Sequence, residues 1–384
     1  MRVSRRMNWR QASLRITPML MVAWARPFGL VIPGLIQTFG LSLDEAGFCV
    51  TVLEIGGVTA MLALGWTMDR WGALKLISIT LALGSAALLL SAVSPSYNVL
   101  LLSFFLIGTG SAGTASSVNA LMAATGERRS FYLGLTHALF GLTSILAPIA
   151  AGFIIGNSGW QGYYALVGLA GLLFSVAFYL STYSQLSDSE PDTPSDDRDS
   201  VAVVLRRIGP VCLGISALVG VQGIFNSWSY LDSVERYQVE HASASLVPAY
   251  LWSGILLGRT LQTFLARRFH ARILLIGSCF VTVAAAQFVG LAGSLWIASV
   301  FLVVVGIGVS GGYQLGTAWA VELCPRRLGA ASTFIMASAA VGSGIWTWVT
   351  GVVVERIGFV AVPWVATTVL ALGVVSFGLK RPAR

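Results

Sequence analysis

The chain has 384 residues, of which 56% are hydrophobic and only 10% charged, and its mean hydropathy is +0.79. Soluble globular chains carry about 25% charged residues, so the composition excludes a soluble protein and indicates an integral membrane protein. The formal net charge of +8 would suggest nucleic acid in a soluble chain, but here the placement of the charges matters more than their sum, and no nucleic-acid partner is expected. Cys49, Cys212, Cys279 and Cys324 stand singly in or beside apolar segments. Without ligand-like spacing they indicate neither a metal site nor a disulfide framework, and they read as small apolar fillers.

Residues 1–15 hold five arginines and superficially resemble the n-region of a signal peptide. The apolar stretch that follows is longer than a 7–15-residue signal core, and further spans succeed it, so it reads as a retained first helix. Runs of about 20 apolar residues, enough to cross a bilayer core, are centred near residues 27, 57, 84, 108, 144, 171, 218, 254, 281, 307, 340 and 369. The sequence therefore predicts an all-α membrane protein of twelve transmembrane helices.

The breaks between spans alternate in charge. The even-numbered breaks and both termini carry Arg5, Arg6, Arg70, Lys75, Arg128, Arg129, Arg267, Arg268, Arg326, Arg327 and Arg381. The odd-numbered breaks hold Arg236 and Arg356 with Asp44, Glu45, Asp232, Glu235, Glu240 and Glu355. Of the 24 Lys and Arg residues, 20 fall on one side, 2 on the other and 2 within spans. By the positive-inside rule, both termini are cytoplasmic. The polar stretch "SQLSDSEPDTPSDDRDS" has the composition of a flexible linker. It divides the chain into an N-terminal six-helix bundle (1–183), an acidic cytoplasmic linker (184–202) and a C-terminal six-helix bundle (203–384).

Between spans two and three lies "GWTMDRWGALK". Its glycines suit close backbone packing in a tight turn, Asp69 can cap or pair at a helix end, and Arg70 and Lys75 suit an anionic leaflet. Gly65, Asp69, Arg70, Gly72 and Lys75 resemble the G-x-x-x-D-R-x-G-x-x-K/R gating loop of the major facilitator superfamily. A weaker copy, "GRTLQTFLARRFHARI", occupies the corresponding place in the second half, with Arg267 and His270 where the Asp and Gly would stand. In span five, "GLTSILAPIAAG" resembles a degraded antiporter motif, although helix packing of small residues is a sufficient and preferred explanation. Phe104 in span four stands where drug antiporters of the superfamily carry an arginine, which counts against that subclass. The resemblance extends over the whole architecture. It implies two bundles rocking about a midplane site, with spans one, four, seven and ten lining the cavity.

Four ionisable groups remain inside spans: Arg26, Glu54, His137 and Arg259. Such residues must pair or face a wet cavity and are functional candidates by default. Helical rise puts Arg26 roughly 15 Å, Glu54 roughly 21 Å and Arg259 roughly 10 Å from the cytoplasmic ends of their spans. Arg26 and Glu54 can form a structural pair. Alternatively, the excess positive charge of two arginines over one glutamate recruits a carboxylate, which suits the bidentate guanidinium. Arg259 resembles the span-eight arginine of monocarboxylate and oxalate transporters, or else snorkels to the cytoplasm. His137, whose ordinary pKa is near neutral, is either a proton-coupling group or a hydrogen-bonded packing residue, and Glu54 is the other candidate proton carrier. Pro27 and Pro33 are expected to bend span one beside Arg26.

Gln222 and Asn226 in span seven and Tyr313 and Gln314 in span ten can hold the neutral part of a substrate. Trp228 and Tyr230, near an outer end, suit an interfacial aromatic belt, and Trp319 joins the candidates of span ten. The three histidines lie far apart in sequence, and no catalytic cluster accompanies them, so an enzyme is not expected. No phosphate-binding GxxxxGK[ST] motif supports direct ATP drive, and no cofactor is expected. The leading reading is a monomeric, proton-coupled secondary transporter of a small organic anion in the bacterial inner membrane, surrounded by membrane lipid. The alternative is a proton-coupled exporter of drugs or of neutral or cationic metabolites.

Overall fold

The computed structural model describes residues 9–125, 128–186, 201–324 and 328–379. Arg5, Arg6, Arg326, Arg327, Arg381 and linker residues 187–200 lie outside the described residues. The helices are α1 (Trp9–Trp24), α2 (Phe28–Phe39), α3 (Leu43–Trp71), α4 (Ala73–Ala92), α5 (Tyr97–Ala123), α6 (Arg129–Leu186) and α7 (Val201–Tyr237). They continue with α8 (His241–Ala244), α9 (Val247–Leu265), α10 (Ala271–Leu291), α11 (Leu295–Val309), α12 (Gly312–Leu323), α13 (Leu328–Ile357) and α14 (Val362–Leu379).

These helices build the twelve spans. Helices α1 and α2 form span one, bent by 44° at residues 25–27. Helix α6 holds spans five and six, which meet at Gly159, where φ is +71° and helical backbone is interrupted. Helices α11 and α12 form span ten, with a short break at Ser310 and Gly311. The turn between spans two and three has the geometry that its glycine permits: Gly72, with φ +73°, ends α3 by donating its N–H to the Met68 carbonyl and leads directly into α4. Only glycine takes that conformation without strain.

Within each half, glycines bring helix backbones together. A Cβ added at Gly108 (span four) would collide with the Leu53 carbonyl of span two, and one at Gly56 with the Phe105 carbonyl. The second half repeats the arrangement, with Gly254 of span eight against Val303 and Gly306 of span ten against Leu251. Small residues let spans approach closely where lipid supplies no hydrophobic drive between helices. Phe104 is buried in this first bundle against the rings of Phe28 and Tyr164.

The end that carries Arg70, Lys75, Arg128, Arg129, Arg267 and Arg268 is called here the basic end, and the end with Asp44, Glu45, Asp232, Glu240 and Glu355 the acidic end. Close contacts between the two halves gather toward the acidic end. Thr51 of span two donates to the Gly344 carbonyl of span eleven at 2.9 Å, and the Trp228 ring of span seven, held by its 3.0 Å bond to the Thr347 carbonyl in the same half, packs against Gly47 of span two. Glu355 of span eleven accepts from the Leu43 N–H at 2.8 Å. It thereby supplements the Ser42–Glu45 capping box at the N-terminus of α3, where a negative charge is favoured by the helix dipole. Gly29 of span one lies against the carbonyls of Asn226 and Ser227 in span seven.

The aromatic-belt expectation for Trp228 and Tyr230 is corrected by this seal. Trp228 is 0% and Tyr230 6% exposed, because span seven turns these residues toward span one and span eleven and away from lipid. Arg236, a cation at the acidic end, pairs with Asp232 and donates to the carbonyls of Val289 and Gly290 at the C-terminus of α10. Cations are stabilised at that end of a helix dipole.

Candidate functional site

Span one runs as a regular helix to Trp24 and resumes at Phe28. Pro27 lacks an N–H and cannot continue the ladder, so the chain turns at Arg26. The Arg26 N–H reaches the Ala23 carbonyl at 3.2 Å, and the Phe28 N–H bonds the Arg26 carbonyl at 2.8 Å. The Trp24 carbonyl accepts instead from the Tyr163 hydroxyl of span six. Backbone freed by a break inside a membrane needs such a partner. Pro33, by contrast, sits within the continuing helix α2.

The break directs Arg26 into a cavity of about 440 Å³ between the two halves. Six of the ionisable and polar candidates converge there: Arg26, Glu54, His137, Arg259, Tyr313 and Gln314. The cavity lies on the basic side of the seal. Its apolar wall includes Met19, Met61, Phe140 and Met336. Glu54 interacts with Arg26 and with the Ser343 hydroxyl of span eleven, and its side chain rests against Gly344. Arg259 interacts with Tyr313 and His137.

The arginines are not fully satisfied by the protein. Arg26 Nε, Arg259 Nε and Arg259 Nη1 are buried without hydrogen-bond partners. Arg26 and Glu54 share the cavity without closing to an ion pair, and Arg259 faces the cavity and does not extend to the basic end. Buried guanidinium donors without acceptors are costly, so this arrangement calls for water or an anionic ligand.

The other candidates are placed elsewhere. Asn226 accepts from Trp252 Nε1 at 2.9 Å, which ties span seven to span eight. Gln222 is half-buried and is not among the residues lining the cavity. Trp319 is fully buried beside His270 and Phe377. His270, read as lacking a carboxylate neighbour in sequence, meets Glu322 at 3.2 Å across the fold. Gly65, Asp69 and Arg70 belong to the last turns of α3, and Lys75 lies in the first turn of α4 with its ammonium 6.0 Å from the Trp71 ring centre. Among the described residues no group of His, Cys, Asp and Glu could hold a metal ion.

Sequence reading missed Ser116 and Asn119 of span four, Thr317 of span ten and Ser343 of span eleven. The first three line the cavity, and Ser343 reaches Glu54. Neutral and small, they leave no mark in hydropathy. Their only signal is a cluster of polar residues, Ser116, Ser117 and Asn119, late in an otherwise apolar span.

The family model of the Major Facilitator Superfamily matches residues 19–295. The chain belongs to the major facilitator superfamily. The superfamily consists of transporters and not enzymes, and this member is a multi-pass membrane protein and a secondary transporter. Among curated relatives, the glucose/mannose transporter GlcP of Bacillus subtilis is 20% identical over 334 residues, which cover 84% of this chain and 82% of that protein. The multidrug resistance protein MdtL of Escherichia coli is 23% identical, covering 84% of this chain and 83% of its own length. The probable sulfoacetate transporter SauU of Cupriavidus necator is 23% identical, covering 67% of this chain and 64% of its own length.

Solved superfamily members share the fold. A bacterial homologue of the human lysosomal transporter Spinster, in an inward-facing conformation, superposes with a TM-score of 0.72 at 17% identity, covering 96% of this chain and 93% of that chain. The E. coli fucose:proton symporter FucP gives a TM-score of 0.67 at 18% identity, covering 96% and 98%.

Proposed function

We propose that this superfamily member moves a small organic anion of the carboxylate type by alternating access, coupled to protons. The basic end faces the cytoplasm, so the conformation described here is sealed toward the outside. The observation that carries the reading is the pair of partly unpartnered arginines, Arg26 and Arg259, on opposite halves of one cavity. An anion between them supplies acceptors to both guanidinium groups and binds the two bundles to one ligand. The kinship with a probable sulfoacetate transporter supports an anionic cargo.

Glu54 gives the coupling a physical form. Its carboxylate and the cargo's carboxylate compete for Arg26, and protonation of Glu54 removes that competitor. Proton and anion then favour each other's binding, and the linkage is reciprocal. Both arginines belong to one chain, so a monomer suffices. A second reading is proton-coupled export of neutral or cationic compounds, supported by kinship with MdtL and by the methionines of the cavity wall.

Counterflow in proteoliposomes under an imposed pH gradient separates these readings. Labelled carboxylates are expected to exchange faster than in empty liposomes, and acidification of one side is expected to drive net uptake. Arg26→Gln and Arg259→Gln should each weaken anion binding about tenfold or more, the scale of a lost charge-assisted hydrogen bond. Movement of neutral or cationic compounds but of no anion from a broad panel would overturn the anion reading.

A further inference from the structure

The unpartnered polar atoms of the cavity fall into two chemically different sets. The arginine N–H groups are donors only and call for oxygen acceptors. Ser116 Oγ, Asn119 Oδ1 and Thr317 Oγ1 form the second set, and they too are buried without partners. Ser116 and Asn119 are three residues apart on span four and share a face. Thr317 follows Tyr313 by four residues on span ten, about 6 Å further toward the basic end by helical rise. Tyr313 itself stands against Arg259. Thr317 therefore lies roughly one helical turn from Tyr313 toward the basic end, and Ser116 and Asn119 lie late in span four, which ends on the same side.

A carboxylate satisfies this second set only in part, accepting from the two hydroxyls but giving nothing to Asn119 Oδ1. Ionised, it only accepts, whereas the Asn119 amide carries an acceptor and donors whichever way it is turned, and each hydroxyl both gives and takes a proton. The group that complements all three is another hydroxyl. A second carboxylate fits worse still, because Ser116, Asn119 and Thr317 are neutral and offer it no charge partner. Building on the anion reading, we propose that the cargo is a hydroxylated monocarboxylate, held at its carboxylate by Arg26 and Arg259 and at a remote hydroxyl by Ser116, Asn119 and Thr317.

Three probes of six carbons isolate the chemistry: gluconate, hexanoate and adipate, compared by competition binding to the full-length chain in proteoliposomes. Gluconate is expected to bind at least about tenfold more tightly than either of the others, since a site built to hydrogen-bond a hydroxyl rejects the analogue that lacks it. Asn119→Leu and Thr317→Val should erase that preference while hexanoate binding persists. Ser116→Ala, a milder change, should reduce the preference. Arg259→Gln should weaken gluconate and hexanoate alike. Equal binding of hexanoate or adipate, or a gluconate preference that survives in both the Asn119 and Thr317 variants, overturns the hydroxyl inference and leaves the anion reading standing. Failure of all three probes, with transport of cationic compounds instead, overturns both.

Discussion

The acidic-end seal and the central cavity both lie between the same two bundles, yet they treat polar groups in opposite ways. At the seal, Thr51 and Glu355 each bridge the bundles by bonding a backbone group of the opposite half. In the cavity, Arg26, Arg259, Ser116, Asn119 and Thr317 keep buried polar atoms unpaired. The seal is closed by bonds from one half to the other, whereas the cavity brings unpaired polar atoms of both halves to one space. The difference teaches where binding energy can act. On the anion reading proposed above, a cargo that bridges the cavity would hold the bundles together at mid-height while the bonds at the acidic end are given up.

The largest expected effect separates packing inside a bundle from packing between bundles. Gly108→Leu drives a side chain into the Leu53 carbonyl, and backbone cannot yield as a side-chain end can. A cost of about 3 kcal/mol, the upper range for overpacking, should appear as a marked fall in melting temperature in detergent. Gly29→Leu, next in size, strikes the carbonyls of Asn226 and Ser227 across the bundle interface. It should leave melting little changed but separate the acidic ends, read as a longer distance between spin labels placed on spans one and seven. If Gly29→Leu instead lowers stability as Gly108→Leu does, the interface is a fixed core and not a gate.

Smaller effects follow from single bonds. Glu355→Gln removes the anionic partner of the Leu43 N–H, and loss of about 1 kcal/mol should shift the balance toward opening at the acidic end about fivefold. Thiol labelling of a cysteine introduced in place of the half-buried Leu43, whose backbone N–H meets Glu355, reports that opening. Thr51→Val keeps the shape of the side chain but loses the bond to the Gly344 carbonyl of the opposite half, for an effect of about 1 kcal/mol or less by the same labelling. An unchanged labelling rate in both variants would mean that apolar packing alone closes this end.

Much of the fold is legible in the sequence because its causes are local. Apolar run length marks the spans, Gly72 marks the turn at which α3 gives way to α4, and Pro27 marks the break in span one. The exceptional residues Arg26, Glu54, His137 and Arg259 are equally visible, because an ionisable group in an apolar run stands out against its neighbours. The neutral half of the site is much less so. Asn119 and Thr317 look like any polar residue in a membrane helix, and Asn226, which looks the same, is used to fasten Trp252.

What the sequence by itself determined, then, is how many times the chain crosses the membrane, where it turns and which charges it carries inside. Only the tertiary structure decided that Arg26 and Glu54 of spans one and two, His137 of span five and Arg259 of span eight face one cavity. It also decided that Gln222 stays out of that cavity and that Trp228 seals an interface. The physical reason is that hydropathy measures how deep a residue lies along a helix. The direction a side chain faces depends on how that helix is rotated against neighbours distant in the chain, and those rotations are set by close contacts such as Gly108 on Leu53 and Gly254 on Val303.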